Sequence, residues 1–306
     1  MNMADLRQFD TGTLRGRMLV DEPMAKHVSW RAGGHAARAY IPADIDDLAD
    51  FLRAQLPDEA VCFVGLGSNL LVRDGGYRGT VILMHSTHGD IRLEAGHRVY
   101  AAAGVAAPKV ARFAATHGLA GGEFLAGIPG TTGGALAMNA GCYGSETWEF
   151  VESVDTIDRQ GVLHKRSRRD FDIGYRHCAS LAGLDEWFLA ALFQFRADEG
   201  KQARQRIRDL LARRIASQPL GLPNAGSVFR NPPGDFAARL IEAAGQKGHA
   251  IGGARVSGKH ANFIVNPEGR ATATDIEALI GHLRNAVRQS SGVDLVPEVR
   301  IVGEAP

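Results

Sequence analysis

The apolar positions of this chain fall in short runs separated by glycine-rich breaks, and each run carries a period of either two or about 3.6. Ser29–Gly34 leads into Ala36–Ile41, which reads as a strand ended by Pro42. Asp44 then caps a helix whose apolar face is Ile45, Leu48, Ala49 and Leu52. Ala60–Val64 reads as a strand, followed by the loop Gly65–Asn69 and a short run, Leu70-Leu71-Val72. Behind the turn Asp74-Gly75-Gly76, Thr80–Met84 is another strand. From Asp90 to Gly104, Ile91, Leu93, Val99 and Ala101 alternate with polar residues as in a hairpin. Pro108–Thr116 is a helix stopped at Gly118, while the first 26 residues are mixed and read as peripheral.

In the second half, Val151–Ile157 and Val162–Arg166 flank Asp158–Gly161 as a further hairpin. Asp172–Arg176 reads as a loop and Phe188–Phe195 as a strand. Glu199–Ser217 is a basic helix with an apolar face at Ile207, Leu210, Leu211 and Ile215, taken as the linker into a last domain. A helix spans Asp235–Ala244, and two strands end in Ala261–Val265. Thr274-Asp275-Ile276-Glu277 reads as a capping box on a helix carrying Leu279, Ile280, Leu283 and Val287. A strand near Leu295–Val302, interrupted by Pro297-Glu298, closes the chain. No internal repeat interrupts this order.

Gly121–Gly144 changes the picture, with eight glycines in 24 residues against 37 in the 306 of the chain. Glycine at that density costs backbone entropy, and close approach of main-chain N–H groups to a ligand offsets it. Pro129-Gly130 makes a turn, Thr131 or Thr132 caps a short helix through Gly133 to Ala140, and Gly141 reads as its left-handed stop. A glycine turn feeding a helix start suits phosphate; the rival reading is a tight packing corner. The earlier Gly65-Leu66-Gly67 is followed by Leu-Leu-Val and a turn instead of a helix, which argues against a Rossmann dinucleotide unit.

Composition narrows the class. A hydrophobic share of 45%, a charged share of 23% and a net charge of +1 describe a globular chain with no global field for nucleic acid or an anionic membrane. At this length two or three packed units are expected. Cys62, Cys142 and Cys178 form no close pair, and the eleven histidines show no ligand spacing, so neither zinc nor another metal is expected. Met1–Val20 is polar and no run approaches a membrane span, which makes the cytoplasm the expected location. The arginines of 199–217 have no interleaved aromatics and read as a solvated face.

Several longer stretches then stand in a recognisable order. They are Ser29-Trp30-Arg31-Ala32-Gly33-Gly34, Gly65–Val72, Gly127–Gly134, Met138-Asn139-Ala140-Gly141, Tyr175-Arg176, Asn224–Pro232, Val256–Asn266 and Pro297-Glu298-Val299. Together they resemble the UDP-N-acetylenolpyruvoylglucosamine reductase family over essentially the whole chain from Ser29. The short span from Arg176 to Ser227 resembles its shorter subclass, which lacks an extra loop and its tyrosine.

The resemblance implies an α+β fold: a two-subdomain FAD-binding domain of the vanillyl-alcohol-oxidase type plus a C-terminal α+β substrate domain. The expected spans are 1–86, 87–198 and 199–296, with 297–306 returning to the first. It implies FAD as cofactor, held by Arg31, by Gly65, Gly67, Ser68, Asn69 and Leu70, and by Gly127, Ile128, Pro129, Gly130, Thr131, Gly133 and Gly134. NADPH is the implied electron donor and a UDP-sugar the substrate, with Tyr175, Arg230, Asn231 and His260 as candidate contacts. The implied catalytic residues are Arg176, Ser227 and Glu298. An arginine beside the substrate carboxylate, a proton-bearing carboxyl and a short proton donor suit reduction of an enol ether. Glu298 is expected to need burial to keep its proton.

No nucleic acid, membrane or obligate protein partner is implied. Arg230 stands where the family usually has lysine, Thr132 where it has valine and Cys142 where it has alanine. Two rivals remain at this point. One is an alcohol oxidase of the same FAD fold, which leaves Ser227 and Pro297-Glu298 without a purpose. The other is a non-catalytic nucleotide-binding protein using the basic helix.

Overall fold

The computed structural model of the chain describes residues 14–84 and 89–306. The expectations that touch residues 1–13, and the subdomain limit at 86, lie outside the described residues.

The first unit is built on a four-stranded sheet in the order Arg17–Pro23, His35–Ile41, Tyr77–Leu83, Val61–Val64. The first pair is antiparallel and the other two are parallel. Helix α1 (Ile45–Ala54) begins at Asp44, whose side chain accepts from the Asp47 N–H, and it buries Leu48, Phe51 and Leu52. Tyr40 stacks on Phe51 at 4.0 Å and donates its hydroxyl to the buried Asp47 carboxylate at 2.6 Å. The strand Arg17–Pro23 corrects the reading of the first 26 residues as merely peripheral. Val20 is 64% exposed, so an edge strand here shows little apolar alternation.

The second unit is a five-stranded antiparallel sheet in the order Leu163–Ser167, Val151–Asp158, Glu186–Gln194, Arg98–Ala102, Ile91–Glu94. Helices α2 (Ala107–Thr116), α3 (Thr132–Ala137) and α4 (Ala203–Ser217) share its core through Val110, Leu136 and Ile207. The basic helix therefore packs on this unit and does more than connect.

A third core joins α5 (Ala237–Ala243), α6 (Ala273–Ser291) and a small sheet of Ala250–Ile251, Ala254–Val256 and Ile264–Val265. Trp30, Ala32 and Leu71 belong to this core despite coming from the N-terminal third. The Trp30 indole donates to the Ile264 carbonyl at 2.8 Å, and the Asn266 amide donates back to the Trp30 carbonyl at 3.0 Å. Arg300–Val302 pairs in parallel with Leu70–Val72. The chain's end thus returns to the strand that follows the first glycine loop.

Three local readings need correction. Helix α6 is capped by Thr272 with Asp275, a box two residues before the expected one. Asp74 decides the register: it accepts from the N–H groups of Ala273 and Thr274, and Glu277 pairs with Arg73 at 2.8 Å. Gly141 is not the left-handed stop of α3. Asn139 takes φ 40°, because its amide is held by Glu146 and the Gly174 carbonyl, and Gly141 opens a short strand pair. Asp172–Arg176 is not a plain loop either: Phe171–Gly174 pairs with His177–Ser180, leaving Tyr175-Arg176 as the turn of a hairpin.

Candidate active site

A cleft of about 360 Å3 is lined by residues of all three units. Its walls carry Gly65, Gly67, Ser68, Asn69 and Leu70 from one glycine loop and Gly127, Ile128, Pro129, Gly130, Thr131 and Gly134 from the other. The two bends face each other closely. A Cβ on Gly65 would sit 2.4 Å from the Thr131 hydroxyl, and one on Gly130 would sit 3.3 Å from the Ser68 hydroxyl.

The expected phosphate cradle differs from the structure in one detail. The start of α3 is already satisfied: Thr132 and Gly133 donate to the Val105 and Ala103 carbonyls, and Gly134 donates to the Thr131 hydroxyl. What remains for a ligand is the loops. Among the described residues, no main-chain acceptor takes the N–H of Gly65, Gly67, Ser68 or Gly130. Main-chain donors without partners, on a cleft that side chains would fill, fit the diphosphate of FAD.

Two expected cofactor residues lie elsewhere. Gly133 faces inward, where a Cβ would meet that of Ala103 at 2.9 Å, so it serves packing. Arg31, with φ 56°, lines an adjoining cavity of about 880 Å3 that shares Leu66, Ser68 and Pro129 with the main cleft.

Arg176, Ser227 and Glu298 all line the cleft. Arg176 caps the hairpin turn with φ 54°. Its Nε donates to Glu298 Oε1 at 2.8 Å and its Nη2 to the Gly141 carbonyl at 2.7 Å. Ser227 follows Gly226, whose φ of 75° is set by an N–H bond to the Asn224 side chain. The Glu298 N–H donates to the Val228 carbonyl at 2.7 Å, so hydroxyl and carboxyl ride on adjoining segments. Burial pushes the Glu298 carboxyl above the usual carboxylate range, against the opposing pull of Arg176 and Arg230.

Tyr175, Arg230 and Asn231 form one cluster beside this trio, outside the cleft wall itself. The Tyr175 hydroxyl accepts from the Asn231 N–H at 3.4 Å, and Arg230 Nη2 donates to the Arg176 carbonyl at 3.2 Å. His260 lies apart from them. It packs edge-on against Phe263 at 4.7 Å, and Phe263 is the residue on the cleft wall. Burial lowers the His260 pKa, and the Lys247 charge adds to this.

Arg214 went unread in the sequence. It sits near the end of α4, lines both cavities, and its Nε donates to the Gln218 side chain at 2.8 Å. Its one signal was the i, i+4 pair Arg214–Gln218 at a helix end. Thr132 donates its hydroxyl to the Val105 carbonyl at 3.1 Å. Burial raises the Cys142 thiol to about 11, so it stays protonated on the cleft wall. Among the described residues, no metal-binding cluster occurs and no helix is long and apolar enough to cross a membrane.

The glycine bends and the cleft between them agree with a family comparison: the FAD binding domain model matches residues 36–167. The chain is a flavoprotein, with a carboxyl, a guanidinium and a hydroxyl on its cleft. The model of the UDP-N-acetylenolpyruvoylglucosamine reductase C-terminal domain matches residues 218–302. The chain is 60% identical over 304 residues to UDP-N-acetylenolpyruvoylglucosamine reductase of Thiobacillus denitrificans, covering 95% of this chain and 94% of that one. It is 56% identical over 291 residues to the protein of the same name in Methylococcus capsulatus, with 95% of each covered. The crystal structure of the Thermus caldophilus UDP-N-acetylenolpyruvylglucosamine reductase superposes with a TM-score of 0.76 at 27% identity, covering 94% of this chain and 99% of that one. The chain belongs to the UDP-N-acetylenolpyruvoylglucosamine reductase family, an FAD-dependent oxidoreductase family with NADPH as reductant. Membership removes the oxidase and non-catalytic readings.

Proposed function

We propose that the cleft reduces the enolpyruvyl group of a UDP-sugar in peptidoglycan precursor synthesis, with Arg176, Glu298 and Ser227 dividing the work. FAD, when bound, supplies the hydride it has received from NADPH. The open main-chain N–H groups of Gly65, Gly67, Ser68 and Gly130 would hold its diphosphate.

Arg176 holds the substrate carboxylate, since its guanidinium stays charged and offers paired donors. Electron density that moves toward that carboxylate is stabilised by Arg176 and by the proton on Glu298. Ser227 gives its proton to the carbon next to the carboxylate. A serine is a weak acid in water, so it donates only to a centre much more basic than itself. Arg176 and Glu298 must therefore share the charge without extinguishing that basicity. Tyr175 and Asn231, joined beside the trio, receive the sugar nucleotide. The cytoplasm is the setting in which the three cysteines remain thiols.

The observation that carries this reading is the convergence of Arg176, Glu298 and Ser227 on the cleft faced by the two glycine bends. The test is an absorbance spectrum of the purified protein. The flavin bands should bleach with NADPH and return, without oxygen, on adding the enolpyruvyl sugar nucleotide. Bands that stay bleached would refute it.

A further inference from the structure

Arg230 holds a place that charge alone does not explain. Its N–H donates to the Val296 carbonyl at 2.9 Å, and its neighbour Phe229 bridges to Pro297. Its backbone is thus part of the short ladder that presents Glu298. Its side chain reaches the Tyr175-Arg176 turn, where Nη2 donates to the main-chain carbonyl of Arg176 at 3.2 Å.

That carbonyl belongs to a non-glycine residue at φ 54°. A left-handed arginine is uncommon and needs surrounding structure to hold it. Arg230 does not line the cleft, and its Nε is buried without a hydrogen-bond partner. An orphaned buried donor costs stability, so what the side chain contributes comes through its other nitrogen, Nη2.

We infer that Arg230 is a positioning residue, which pins the Tyr175-Arg176 turn to the Glu298 ladder and so sets the guanidinium of Arg176 against the carboxyl of Glu298. This deepens the reading above and rests on it, because it assumes that Arg176 and Glu298 act on one substrate carboxylate. It explains why arginine stands at 230. A planar fork can direct one N–H at a carbonyl while its charge stays beside Glu298, whereas an ammonium is a point charge on a flexible stem. The charges that bear on Glu298 are Arg176 and Arg230, so the same side chain also tempers how firmly the carboxyl keeps its proton.

The test compares Arg230→Lys and Arg230→Met in the flavin-loaded protein. Hydrogen–deuterium exchange of the peptide covering 171–180 should speed up by about 5-fold or more in both. At saturating enolpyruvyl substrate, reoxidation of reduced flavin should slow by roughly 10-fold to 100-fold, the scale of a misplaced catalytic group. KM should stay within about threefold, and flavin reduction by NADPH within about twofold. Lysine should not rescue the exchange rate.

A raised KM with an unchanged saturated rate and unchanged exchange would overturn the inference and make Arg230 a direct substrate contact. Equal losses in both half-reactions for the lysine variant, with a lowered melting temperature, would also overturn it, as a merely structural role. Arg176→Lys separates the levels. If that change leaves reoxidation untouched, the catalytic reading fails, while the exchange measurement still judges whether Arg230 pins the turn.

Discussion

The side-chain amide of Asn69 donates to the main-chain carbonyl of Glu298 at 3.1 Å, across 229 positions of sequence. In return the Asn69 carbonyl accepts from the Arg300 N–H at 3.0 Å. The loop that faces the second glycine bend is therefore fastened to the segment that carries the carboxyl. The bend proposed to hold the cofactor and the carboxyl proposed for the chemistry are linked through both ends of Asn69.

Replacing Asn69 with alanine should loosen both at once. Loss of the bond should lower stability by about 1 kcal/mol, weaken FAD retention and slow turnover. Urea unfolding together with an FAD titration checks this. A variant that keeps normal FAD affinity and rate would show that the link is passive.

The glycines of the bends should separate by consequence. At Gly67 a Cβ would sit 2.1 Å from the His27 carbonyl, at φ 57°, so Gly67→Ala should damage the fold itself. At Gly130 the nearest atom is the Ser68 hydroxyl, 3.3 Å away. Gly130→Ala should leave the melting temperature of the apoprotein within about 2 °C, given that small domains shift a few degrees per kcal/mol, yet lower FAD affinity. Equal effects of the two changes on folding would contradict the cradle.

Glu298 gives a pH signature. Its folded pKa lies above the ordinary 4.5, raised by burial. The folded chain therefore keeps a proton that the unfolded chain has released in the interval above 4.5. The stability this provides is complete below the unfolded pKa and is lost as pH rises through the folded one. Glu298→Gln removes the proton linkage. The stability of the natural protein relative to that variant should fall as pH rises above the ordinary 4.5 and through the raised folded pKa, and turnover of the natural protein should fall once that carboxyl loses its proton. Parallel melting curves would count against a raised Glu298.

Asp74 is one of the clamps between the first unit and the third. It takes the Ala273 and Thr274 N–H groups and the Thr274 hydroxyl at 3.0, 2.8 and 2.6 Å. Asp74→Ala should cost about 1–2 kcal/mol, as loss of a helix-start acceptor does. Asp74→Asn should recover part of it. Calorimetric melting of both variants decides the matter.

Much of this was legible in the sequence because it is local. The Asp44 cap, the apolar stripe of α1 and the bends at 65–69 and 127–131 are short-range patterns, whereas Arg176, Ser227 and Glu298 lie far apart in the chain and are named only through the family resemblance. What was not legible depended on distant partners. Thr272-x-x-Asp275 and Thr274-x-x-Glu277 are both acceptable boxes on paper, and Asp74, 199 positions away, chooses between them. Asn139, not Gly141, turns left-handed because Glu146 and Gly174 hold its amide. Arg214 looked like one solvated arginine among several, and only the packing of α4 shows which of them reaches the cleft.

Rapid-mixing spectroscopy on Ser227→Ala tests the central claim most directly, because it observes the two halves of the reaction separately. Flavin bleaching by NADPH should proceed at its natural rate, while recovery of colour with the enolpyruvyl sugar nucleotide should slow by roughly 10²- to 10⁴-fold, the usual worth of a positioned proton donor. Recovery at the natural rate would contradict the account.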